Sequence, residues 1–95
     1  MQIIIIFREG DRERFAEFHQ GFLNLDHSSL IDRYNRNQKL GIVGVHAQGI
    51  MLLALHHRFV QVFGKSPIEW TDNCLLGLTN PIQMKGETWE FVKLH

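Results

Sequence analysis

Six histidines and one cysteine are the side chains of this 95-residue chain best suited to chemistry. His19, His27, His46, His56, His57 and His95 are spread along it, and Cys74 stands alone. Zinc sites built on one helix use two histidines four residues apart, so that both rings reach the ion. His56 and His57 are neighbours instead. They point about 100° apart on a helix and cannot chelate together from within it. A metal would need long-range partners such as His46 or Cys74, and neither a metal nor another cofactor is expected. Cys74 would turn nucleophilic only beside a histidine or a helix N-terminus. At the start of an apolar stretch it reads as a small buried hydrophobe. Asp26, Asp32, Glu69 and Asp72 fall in caps, turns and polar faces, without the pairing that general acid–base work requires.

Phosphate chemistry is excluded where it is most suggested. Gly64-Lys65-Ser66 looks like the end of a phosphate-binding loop, but that motif needs a glycine where Phe59 stands and a helix starting after the lysine. Here the apolar helical pattern stops at Gly64, and Pro67 follows. Gly41, Gly44 and Gly49 lie between an expected strand and an expected helix, yet their spacing is not the dinucleotide fingerprint. Packing is their expected role. The junction over residues 45–49 still offers free amides at a helix start, a seat for an anion or other ligand. His46 and Gln48 are therefore candidate ligand-binding residues. His56 is the third candidate, because a helical projection places it in the apolar arc between Val60 and Phe63. A neutral histidine there must find hydrogen-bond partners or bear a desolvation penalty. Its ordinary role is a core or interface residue; its chemical one is an acid–base or hydrogen-bonding group in a pocket near His46.

The elements that must position these residues follow from periodicity. Residues 2–7 form an uninterrupted apolar run, the pattern of a covered strand. Asp11 is the expected N-cap of a helix reaching about residue 25, with Phe15, Phe18, Phe22 and Leu25 as its core stripe. Ser29 and Asp32 resemble a capping box opening a short helix over 30–36. The polar run 35–39 marks its exit. Residues 40–45 read as a second buried strand. Residues 47–63 are the strongest helix, with Met51, Leu52, Leu55, Phe59, Val62 and Phe63 on one wide face and Gly64 just past its end. Short extended pieces at 68–70, 74–79, 82–84 and 88–94 complete an antiparallel meander. The order is β-α-α-β-α-β-β in one domain over 1–95. The class is α+β, with a mixed sheet of four or five strands and helices mainly on one face.

Composition narrows the partners. Ten basic and ten acidic residues balance, with six of each over 8–39 and four of each over 58–93. Nucleic-acid binders concentrate basic charge on one face, so nucleic acid is not expected. The first residues lack the layout of a signal peptide. With one cysteine, a reducing, cytoplasmic setting is expected. Residues 40–57 carry no charged side chain, but their glycines, histidines and Gln48 suit a strand and helix buried in protein better than a membrane span. No motif names a reaction. The reading is a small self-associating interaction module without catalytic activity, a homodimer joined through the 47–63 helix or the terminal meander. That helix is apolar over more than half its circumference, more than a chain this short readily covers. The alternative is a small-ligand-binding or catalytic domain with its pocket near His46 and His56. Trp70, Trp89 and Phe91 are the aromatic side chains that would anchor a partner if exposed.

Overall fold

The computed structural model describes residues 2–93. The chain runs β1 (Gln2–Ile4), α1 (Asp11–Phe22), α2 (His27–Leu40), α3 (His46–Phe63), β2 (Glu69–Trp70), β3 (Leu75–Gly77), β4 (Ile82–Lys85) and β5 (Thr88–Phe91). The α+β class holds, with five strands. They divide into two small sheets, and every pairing is antiparallel rather than mixed. β3 is central in the first sheet, between β1 and β2, with Gln2 and Glu69 both opposite Gly77. β4 and β5 form a separate hairpin closed by Gly86 and Glu87. Residue 94, the end of the expected last strand, lies outside the described residues, as does His95.

α3 organises the molecule. Leu52, Leu53, Ala54 and Leu55 are consecutive and all buried, so protein surrounds a whole turn of this helix. α1 packs along it, and α2 and β2 touch it from other sides. Each large apolar side chain fully buried here contributes about 1.5–3 kcal/mol relative to exposure. Gly49 faces β1, where an added Cβ would meet Ile5 Cδ1, so its lack of a side chain lets the strand lie against the helix. Gly64 ends α3 as expected, its N–H donating to the Val60 carbonyl.

Residues 40–45 are the main correction. Leu40 ends α2, and residues 41–45 are irregular rather than a strand. Gly41 and Gly44 adopt φ of 83° and 81°, left-handed values that an extended strand does not contain. Gln48 then reaches back from α3, accepting from the Val43 N–H at 2.9 Å and donating to the Gly41 carbonyl at 3.0 Å. The loop is held by a side chain in place of a ladder.

α2 is also longer than its pattern predicts at both ends. Its N-cap is Asp26, which accepts from the Ser29 N–H at 2.8 Å, and not Ser29 itself. The polar run 35–39 is helical, not an exit turn. Tyr34, Asn35 and Gln38 hydrogen-bond the backbone of residues 79–82, so tertiary partners occupy their polar groups. At α1 the N-cap is Gly10, while Asp11 is the first helical residue and accepts from the Arg8 N–H at 2.6 Å. Trp89 is buried, Trp70 half-buried and Phe91 exposed.

Candidate functional site

β1 continues beyond Ile4 as an extended segment whose Ile5 N–H still donates to the Cys74 carbonyl at 2.9 Å. It then runs beside α1 and α3, where Phe7 shares groove walls with Phe15 and His56, and turns into α1 at Gly10. This path sets the start of α1 beside the start of α3. There His46 Nε2 meets both carboxyl oxygens of Asp11, at 2.8 and 3.0 Å. Asp11 is buried. Burial pushes its carboxyl up, but the His46 hydrogen bond, the Arg8 amide and the charges of His46 and Arg14 outweigh that effect and hold it below its ordinary 3.8. The pair fastens two helix starts that are distant in sequence.

Three grooves flank the extended segment. The first, about 280 Å³, is walled by Phe7, Phe15, Leu53, His56, His57 and Trp70. Phe7 and Trp70 meet edge to face, their ring centres 6.2 Å apart. The second, about 250 Å³, includes Ile4, Ile6, Arg8, Val45 and His46. The third joins them, with Phe7, Arg8, Asp11, Arg12 and Phe15 as its walls. His46 and His56 therefore belong to different grooves. Ten residues of helix separate them, about 15 Å along the axis.

The three predicted ligand residues thus take three separate roles. His46 is paired with Asp11, and Gln48 braces the 41–45 loop. His56 is half-buried in the first groove with its Nδ1 buried and without a hydrogen-bond partner. Burial pushes the His56 imidazole below its ordinary 6.5, against a backbone hydrogen bond at Ile68 that acts the other way; the neighbouring His57 lowers it further. A neutral ring follows at neutral pH. Phe7, Asp11 and Phe15 also line these grooves, without any motif in the sequence that marks them as site residues. Asp11 had a local explanation as a cap, and nothing in the chain links it to a histidine 35 residues on.

Cys74 lines none of these grooves and sits in the turn before β3 with φ of 59°. Among the described residues, no three His, Cys, Asp or Glu side chains gather to hold a metal. No helix there is long and apolar enough to cross a membrane.

The other conspicuous feature is apolar surface. Ile4, Ile6 and Phe7 are 67%, 75% and 58% exposed, and Leu40, Val43 and Val45 are exposed as well. Ile3 and Ile5 alternate with Ile4 and Ile6 and turn toward α3, as a strand's period of two requires. β1 is an edge strand, bonded to β3 on one side only. Comparison with family models, curated proteins and solved structures finds no match for this chain.

Proposed function

We propose that this chain is a self-associating interaction module without catalytic activity, and that a second copy docks on the outer side and free edge of β1. The exposure of Ile4 on an unpaired edge strand, and of Ile6 and Phe7 in the segment that follows it, is the observation that carries this reading. Edge strands of monomers are normally guarded by charge, proline or a bulge. Residues 3–7 contain neither charge nor proline. A strand of this kind is self-complementary. Antiparallel pairing of two copies about a two-fold axis would join their edges and bring both sets of Ile4 and Ile6 together. The balanced net charge adds no overall repulsion between copies. α3 offers less for docking, since Leu52, Leu55 and Phe59 are already covered by the chain itself.

Sedimentation or light scattering at micromolar concentration tests this, with twice the chain mass expected. Ile6→Lys, which places a charge on the edge without touching the core, should give monomers with an unchanged circular dichroism spectrum. A wild-type chain that stays monomeric, or a variant that dimerises as before, would overturn the proposal.

A second reading rests on His56. The apolar and aromatic walls of the first groove, His56 among them, suit a small, uncharged, flat ligand. Thermal-shift screening of aromatic alcohols and amides would find such a ligand, and His56→Gln would weaken its binding. A screen with no hits removes this second reading and leaves the first untouched.

A further inference from the structure

A different pair of histidines lies at the seam between α1 and α3. His19 on α1 places its Nε2 2.9 Å from Gln61 Oε1, and His57 on α3 places its Nε2 3.4 Å from Gln61 Nε2. Both imidazole nitrogens thus converge on one carboxamide. The ring centres are 5.1 Å apart and the rings are tilted by 58°. Two imidazoles bound through Nε2 to one tetrahedral ion at ordinary metal–nitrogen distances have ring centres about 5 Å apart. Phe15 holds both rings, lying parallel to His19 at 6.0 Å and edge-on to His57 at 5.9 Å. The two ligands come from helices that pack directly on one another, which limits how far either can swing away.

We propose that His19, His57 and Gln61 form a binding site for a divalent transition-metal ion of the kind that favours imidazole, Zn²⁺ or Ni²⁺. The hydrogen bonds place the protons. Gln61 Nε2 donates to His57 Nε2, so the His57 lone pair already faces the site. His19 Nε2 donates to Gln61 Oε1, so its proton must move to Nδ1 before the ion binds. The ion then sits where the carboxamide now bridges the rings. Gln61 supplies its oxygen as a third donor, and water completes the shell. Gln61 Oε1 gives up the Arg58 guanidinium, which donates to it at 3.3 Å. Arg58 is the cation facing the ion. Its replacement by glutamine should tighten binding.

The site is independent of how copies associate, and the untagged chain tests it. Calorimetric titration with Zn²⁺ and with Ni²⁺ should show one ion per chain and a raised melting temperature. His19→Ala and His57→Ala should each weaken binding by at least about tenfold, since losing a ligand exceeds the loss of a supporting partner. His27→Ala, on another face, should leave it unchanged. Ring-nitrogen spectra of the wild-type chain remove any dependence on variant folding: Zn²⁺ should shift His19 and His57 together. No binding, or shifts confined to other histidines, or affinity retained in both alanine variants, would overturn the assignment.

Discussion

Asp11 shows how one residue can carry a local and a distant role. At the head of α1 it accepts from the Arg8 amide, which is what a cap-like acid does, and it also holds His46 at the head of α3. Only the first role is written in neighbouring residues. Because its folded-state carboxyl titrates below the ordinary 3.8, the unfolded chain binds the proton more readily. Its stabilising contribution is therefore complete above that value and is lost as pH falls through the lower folded-state value. Asp11→Asn should lower the melting temperature at neutral pH, and the gap to wild type should close in strongly acidic buffer. A gap that stays constant across pH would show that the charge is not what matters. His56 was legible as a histidine in an apolar arc. Its separation from His46 was not, since both lie on one helix and only the path of residues 5–8 assigns them to different grooves.

At the level of elements, the pattern of apolar residues located every helix and the short strands of the last third. It failed where backbone sign or distant hydrogen bonds decide the outcome. Residues 40–45 have a strand's composition, but Gly41 and Gly44 take left-handed φ values to which hydrophobicity is blind. Residues 35–39 have a turn's composition, yet are helical, with Asn35 and Gln38 bonded to the backbone of residues 79–82. Asn35 is the clearest case. Its side chain donates to the Ile82 carbonyl and accepts from the Ile82 N–H, both at 2.8 Å, as a strand neighbour would. Ile82 is buried, so removing Asn35 would strand both backbone groups away from water. Asn35→Ala should cost about 2–6 kcal/mol, at 1–3 kcal/mol for each unsatisfied group. Urea unfolding would register this as a lower midpoint with an unchanged slope. A loss near zero would mean that the hairpin does not depend on α2.

For the molecule as a whole, the excess apolar material expected on the 47–63 helix is partly found elsewhere. The wide apolar face of α3 suggests more than this chain can cover, yet α1, α2 and β2 pack on it and bury Leu52, Leu55 and Phe59, while Ile4, Ile6 and Phe7 are exposed. Helical projection treats an element alone and cannot assign its neighbours. Association through Ile4, Ile6 and Phe7 would bury no charged side chain of residues 3–7 and join chains of balanced charge. Its strength should therefore respond little to salt, whereas contacts between exposed charges weaken as added salt shortens the screening length. Sedimentation across a salt series reads this directly, and marked dissociation at high salt would point to a polar interface.

The position of β1 also dictates an order of events in folding. Gln2 lies opposite Gly77, so β1 is paired by a strand that leaves the ribosome only after α1, α2 and α3. Until then its isoleucines have no sheet to join. The helices can settle on one another through nearby contacts, while closing the sheet must wait for one of the widest loops in the chain. For that interval the nascent protein presents a bare oily strand, the sort of segment that chaperones retain and that sister chains capture.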